Sequence, residues 1–317
     1  MNHTRRTFLG ALTALPLAAS LNLAGARAAS NRKFRLSLSV GSIGVNADQR
    51  EALRLAGKHQ FEAVDANANF FTPLTPDQVR EINAERTQAG LTWGAAGLTV
   101  DFRGEEAAFQ QGLQSLPKIA AALKQAGITR ITTWISPGHS QLTYEQNLER
   151  HAQRLRAVSK AVNEQGLRLG LEYVGTKKSR EKSPHPFVHD LKGMRELLGA
   201  IGVPGTGVVL DTWHWWTSGE TAADILSLKN SDVVSVDLND APKGLARDEQ
   251  LDGRRELPAA TGVIPVAEFL GALVKIGYDG PVRAEPFNQP LNALDNEAAC
   301  AAVSAAMHKA FALIPNP

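Results

Sequence analysis

The sequence predicts an α/β fold, a single (β/α)8 barrel running from about residue 34 to residue 313. Three observations carry this. Short apolar runs alternate with longer segments of helical period, eight times over, in units of roughly 30–40 residues; this implies parallel strands joined by crossover helices. No Gly-x-Gly-x-x-Gly follows the first apolar run, which disfavours a dinucleotide-binding sheet. Four apolar runs in the second half end in an acid, and a barrel gathers the C-terminal ends of its strands at one mouth.

The elements follow in order. Residues 34–40 read as the first strand, and 47–59 as a helix opened by Asn46. Residues 61–65 are the second strand. Thr75-Pro76-Asp77-Gln78 starts a helix that runs to residue 88, before Gly90. Strand three is 91–98. An amphipathic helix covers 105–125 and stops before Gly127. Residues 128–135, rich in β-branched side chains, form strand four, closed by Pro137-Gly138. Helix 144–165 ends at Gly166. The remaining pairs are strand 167–173 with helix 187–200, strand 207–210 with helix 221–229, strand 233–238 with helix 264–276, and strand 281–285 with the closing helix 294–313.

The chain has 317 residues, and its first 28 read as a segment outside the barrel. Thr4-Arg5-Arg6-Thr7-Phe8-Leu9 is a twin-arginine signature. An Ala/Leu-rich stretch follows, then Ala26-Arg27-Ala28 as a small-x-small cleavage site. The expectation is a signal peptide over residues 1–28, engagement of the twin-arginine export machinery, and a periplasmic or secreted mature chain. Its removal takes away Arg5, Arg6 and Arg27 and no acid, so the formal charge changes from +2 to 2 − 3 = −1. A near-neutral chain without a Lys/Arg run is not a nucleic-acid binder. The one cysteine, Cys300, sits among alanines and reads as a buried helix residue; thiolate metal sites and cysteine nucleophiles are disfavoured.

The chemistry is expected at the strand ends. Gly170-Leu171-Glu172, Val208-Val209-Leu210-Asp211, Val234-Ser235-Val236-Asp237 and Val282-Arg283-Ala284-Glu285 place four acids at the ends of consecutive strands. Four carboxylates in one mouth raise each other's pKa values unless a cation neutralises them. Oxygen-rich ligation favours one divalent ion, Mn2+ or Mg2+ before Co2+ or Zn2+. The expected metal set is therefore Glu172, Asp211, Asp237 and Glu285.

Those motifs carry a resemblance. Leu171-Glu172, Leu210-Asp211-Thr212-Trp213-His214, Val236-Asp237-Leu238-Asn239-Asp240-Ala241-Pro242 and Ala284-Glu285-Pro286-Phe287 resemble the xylose isomerase-like TIM barrels. More narrowly, they resemble the sugar phosphate isomerase/epimerase superfamily, of ketose 3-epimerase and inosose isomerase or dehydratase type. The resemblance implies that Glu172 and Glu285 bind metal and also move protons on opposite faces of the substrate. It implies that Asp211 is a metal ligand and that His214 contacts a substrate oxygen. It places an arginine of the 251–258 loop, Arg255, near substrate oxygens. Asp237 departs from the pattern, because the family often has histidine there. Either Asp237 ligates the ion and its added negative charge favours a harder cation than zinc, or it stands behind the ligands.

The implied activity is a metal-dependent isomerase or epimerase acting on a free sugar, keto-sugar or cyclitol. A lyase on a keto-sugar, keto-glycoside or inosose begins with the same proton abstraction, and a non-catalytic exported sugar-binding protein is a third reading. His189, His139 and Trp134 are further candidates for the mouth. Trp213, Trp215 and Trp216 offer either a wall for a sugar face or packing between barrel and helix. The expected partner is a small carbohydrate; homo-oligomerisation is left open.

Overall fold

The computed structural model describes residues 32–314. The expected signal segment, residues 1–28, lies outside the described residues. Eight parallel strands close a barrel: β1 (Arg35–Leu38), β2 (Ala63–Ala66), β3 (Thr92–Gly97), β4 (Arg130–Trp134), β5 (Arg168–Glu172), β6 (Gly207–Asp211), β7 (Val233–Leu238) and β8 (Pro281–Ala284). Each strand pairs with its neighbours in sequence, and β8 closes onto β1. The fold class expected from the alternation is the one observed.

Among the described residues, one principal helix follows each strand: α1 (Gln49–Lys58), α2 (Pro76–Gln88), α3 (Glu106–Gln125), α4 (Tyr144–Glu164), α5 (Leu191–Ile201), α6 (Ala222–Leu226), α7 (Val266–Lys275) and α8 (Asn296–Phe311). Their starts follow from capping chemistry. Thr75 and Gln78 form a reciprocal capping box with Pro76 at the first helical position, and Thr143 and Gln146 repeat the box at α4. Asp48, not Asn46, caps α1 by accepting from the Glu51 N–H.

Capping also corrects two boundaries and adds one helix. Asp190 accepts from the Gly193 N–H, so α5 begins at Leu191 and the expected start at residue 187 is loop. Asp295 caps α8, which divides the expected 294–313 helix from a short turn at Gln289–Asn292. A short helix not expected from the sequence, Thr212–Thr217, follows β6 directly because the Asp211 carboxylate accepts from the Trp213 N–H.

The core is the seam between barrel and helices, where residues such as Leu36, Leu169, Leu210, Val236 and Val282 are fully enclosed. Burying each such side chain stabilises the fold by about 1.5–3 kcal/mol relative to exposure. The three tryptophans of the Thr212–Thr217 helix belong to this seam: Trp213 and Trp215 are fully buried and Trp216 is nearly so. Trp215 packs edge-on against Phe269 of α7 at 5.3 Å. They are packing residues and not a sugar-facing wall. Cys300 is buried on α8, as expected. No helix among the described residues is long and apolar enough to cross a membrane.

Candidate metal centre

The strand ends bring four acids together. Glu172 ends β5, Asp211 ends β6, Asp237 is the fifth residue of β7, and Glu285 directly follows β8. Asp211 and Asp237 are direct partners in the β6–β7 register. One carboxylate oxygen from each of the four lies within 4.8 Å of the others. Glu172, Asp211 and His214 form an overlapping group by the same measure. Asp211 and Asp237 have no exposed surface, and Glu172 has only 8%.

Two arginines enter this cluster. Arg255, itself buried, donates through Nη1 to Asp211 Oδ2 at 2.7 Å and to Glu285 Oε2 at 3.2 Å. Its Nη2 donates to Asp252 Oδ1 at 2.7 Å. Arg283 of β8 donates through Nε to Asp237 Oδ1 at 2.5 Å and through Nη2 to Asp237 Oδ2 at 3.1 Å. Four carboxylates and two guanidinium groups leave −4 + 2 = −2. Asp252 and Asp65, which the same arginines also touch, make the balance more negative.

Electrostatics report the same imbalance. Burial, and then Glu285, Asp211 and Asp237, push Glu172 well above the usual carboxylate range. Burial and then Asp237 push Glu285 up to about 8, against Arg255 and Arg283. Asp237 is also raised, because its burial outweighs Arg283. Burial works against the charge of Arg255, but Asp211, Asp252, Glu285 and Glu172 outweigh it and hold the guanidinium cationic.

A divalent cation fits these residues. Glu172 Oε1 is buried and has no hydrogen-bond partner among the described residues. A buried carboxylate oxygen left this way is costly unless a cation or ligand completes it. The donor set is all carboxylate with one imidazole at its edge, the chemistry of a hard or borderline ion.

The residues around the cluster hold its members in place. Asn239 Nδ2 donates to Asp211 Oδ1 at 2.8 Å, and the Asn239 backbone exchanges hydrogen bonds with Thr212 Oγ1. Asn288 Nδ2 donates to the Arg255 carbonyl at 3.0 Å. Asp240 does not touch Asp237; it accepts from the Ala241, Thr261, Gly262 and Ile264 N–H groups and so shapes the loop that carries Arg255.

His214 Nδ1 accepts from the Gly175 N–H at 3.2 Å. A side chain at Gly175 would collide with the His214 carbonyl, so only glycine lets the two backbones approach this closely. Burial lowers the His214 pKa, with Arg255 adding to that and Asp211 opposing it. Its Nε2 lies 3.2 Å from Arg255 Nη2, which can only donate, so both ring nitrogens face donors.

A cavity of about 520 Å3 opens over the cluster, lined among others by Trp134, Glu172, His214, Arg255, Glu285 and Phe287. Trp134 and Phe287 are the exposed aromatics of its rim, at 46% and 39%. His189 is not among the lining residues; its Nδ1 lies 2.6 Å from the Phe187 carbonyl, just ahead of the α5 cap. His139 is likewise absent from the lining, with Nδ1 accepting from the Gln141 and Leu142 N–H groups. Sequence reasoning missed Arg283, Asp65 and Asp252. Arg283 did carry a signal: it stands two residues before Glu285, on the same strand face.

An eight-stranded parallel barrel with a carboxylate cluster at the strand C-termini defines a class of mouth-centred barrel enzymes. This chain belongs to the xylose isomerase-like TIM barrel family, whose model matches residues 51–308. It is 27% identical over 151 residues to an inosose isomerase of Halalkalibacterium halodurans; the match covers 46% of this chain and about half (48%) of that relative. A xylose isomerase domain protein from Alicyclobacillus acidocaldarius superposes with a TM-score of 0.78 at 28% identity, over 88% of this chain and 99% of the other. The IOLI protein, solved with a bound zinc atom, shares the fold at 17% identity with a TM-score of 0.73, over 90% of this chain and all of that one.

Proposed function

We propose that the protein is a divalent-metal-dependent isomerase or epimerase acting on a free sugar, keto-sugar or cyclitol. One observation carries the reading: four consecutive strands converge carboxylate oxygens within 4.8 Å, with a surplus of negative charge and one buried oxygen unsatisfied. Glu172, Asp211, Asp237 and Glu285 would hold the ion. When bound, it supplies electrostatic stabilisation for the negative charge that builds on substrate oxygens as a neighbouring C–H proton leaves.

The chain's own residues do the rest. Glu172 and Glu285 come from strands separated by β6 and β7, so they reach a substrate from different sides of the cluster. One takes the proton and the other returns it. Return to the opposite face of the same carbon inverts it; return to the adjacent carbon moves the carbonyl. His214, held by Gly175 at Nδ1 and facing Arg255 through Nε2, lines the cavity where a substrate oxygen would sit. Arg255 orients Asp211 and Glu285 and faces the same cavity. Trp134 contributes its ring to the rim. His189 would act only through the loop that precedes α5. We also infer export by the twin-arginine route, on the strength of Thr4-Arg5-Arg6-Thr7-Phe8-Leu9 and the Ala26-Arg27-Ala28 cleavage site.

The test is NMR of free ketoses, inososes and 3-keto-glycosides incubated with Mn2+-loaded protein in D2O. Deuterium should enter at a single carbon of one class, and Glu172→Gln or Glu285→Gln should lower its rate at least about a hundredfold. Release of water or an aglycone would assign elimination in place of isomerisation. No exchange into any member of the panel, or full exchange by the Glu172→Gln/Glu285→Gln variant, sinks the reading.

A further inference from the structure

Arg283 stands beside Asp237 at the edge of the cluster and contacts two acids at once. Toward the cluster, its Nε and Nη2 grip both oxygens of Asp237, at 2.5 Å and 3.1 Å. The two residues are direct partners in the β7–β8 register, so the grip is built by the sheet itself. Away from the cluster, Nη1 donates to Asp65 Oδ2 of β2 at 2.9 Å. Asp65 is fixed in turn: its Oδ1 accepts from Ser37 Oγ of β1 at 2.8 Å and from the Ala95 N–H of β3 at 3.2 Å. A side chain at Gly94 would collide with both Asp65 and Ser37, so β3 keeps a glycine opposite this anchor. Four strands, β1, β2, β3 and β7, thus determine where the guanidinium of the fifth, β8, must sit.

This arrangement constrains what Asp237 can do. A guanidinium bonded along both carboxylate oxygens occupies the edge that would otherwise chelate a cation. It also cancels the carboxylate's charge. We propose that Arg283 is a positioning residue of the ion site, one that makes Asp237 a charge-balanced, single-oxygen donor and so offsets one negative charge of the set offered to the ion. The proposal rests on the metal-centre reading above. Arg283 is not among the residues lining the cavity over the cluster; it acts through Asp237.

The charge arithmetic makes the proposal testable by metal binding alone. In the inner set, Asp237→Asn leaves three acids and two arginines, −3 + 2 = −1. Adding Arg283→Met restores −3 + 1 = −2. Arg283→Lys preserves −2 but gives up the two-point grip. Mn2+ affinity of metal-stripped protein is read by isothermal titration and by electron paramagnetic resonance of free Mn2+. Circular dichroism confirms that each variant is folded.

Asp237→Asn should weaken Mn2+ binding about tenfold or more, and Asp237→Asn/Arg283→Met should recover at least about threefold of that loss, a non-additivity that independent sites do not show. Arg283→Lys keeps Asp237 and the charge but loses the two-point grip, so it stays informative if the double variant does not fold; it should bind Mn2+ at least about threefold more weakly than wild type. A double variant that binds no tighter than Asp237→Asn overturns the proposal while leaving the metal centre standing. So does a folded Arg283→Lys that binds Mn2+ as tightly as wild type. Wild-type protein that binds no Mn2+ overturns both.

Discussion

Glu285 is where the surplus charge of the cluster becomes measurable at the scale of one residue. Its folded pKa is pushed up to about 8, and Glu172 moves the same way. A carboxyl raised above its unfolded value binds more protons in the folded state. Its favourable contribution is therefore present below the unfolded pKa and is lost as pH rises through the folded one. Glu220, raised to about 7 chiefly by burial, adds to the same trend. The buried His151, lowered to about 4 by burial, and the lowered His214 oppose it, but only below the unfolded histidine value near 6.5. Between pH 6.5 and 8 the acids act alone. Metal-free protein should therefore lose stability across that window, by at most about 1.4 kcal/mol per pH unit for each such group. Urea denaturation in EDTA at pH 6.5, 7.25 and 8 checks this. A flat or rising profile would show that the glutamates are solvated in the folded state.

At the scale of elements, the β7–α7 connection positions the cluster's cation. Asp240 is fully enclosed and collects four backbone N–H groups of that loop. The loop in turn delivers Arg255 to Asp211. Asp240→Ala removes the shared acceptor and should cost about 2–4 kcal/mol. It should also loosen Arg255, so metal affinity falls together with the urea midpoint. A variant with wild-type stability would show that the loop holds its shape without this carboxylate. The short Thr212–Thr217 helix works in a similar way. Its cap is the ligand candidate Asp211 itself, and Trp215 packs it against Phe269 of α7. Strand end, helix cap and ion site are one side chain here, which is why Asp211 has so little freedom.

For the whole molecule, the ion is expected to act as a staple across β5, β6, β7 and β8. A ligand that binds only the folded chain stabilises it by about 2.7 kcal/mol at a hundred times its Kd. For a barrel of this size that is an increase in Tm of about 5 °C or more. Differential scanning calorimetry of stripped protein with and without Mn2+ measures it. An unchanged Tm at saturating Mn2+ would mean that the acids do not take up the ion, whatever their geometry.

Much of this was legible in the chain order. Barrel strands are short apolar runs, and the crossover helices have a 3.6-residue period; both signals are local, so the alternation alone specifies the class. The acids at 172, 211, 237 and 285 stand at the ends of runs, and a parallel barrel sends all those ends to one mouth, so their convergence needs no further information. What sequence alone could not supply is which cation meets which acid. Asp65 and Arg283 are 218 residues apart, and Arg255 reaches Asp211 across 44. Those pairings depend on β8 closing onto β1, on the β7–β8 register that sets Arg283 beside Asp237, and on a loop shaped by Asp240. Periodicity places a side chain on a face; only closure of the barrel decides what stands opposite it. The position of the candidate ligands was therefore written in the sequence, and their charge balance was decided by the tertiary structure.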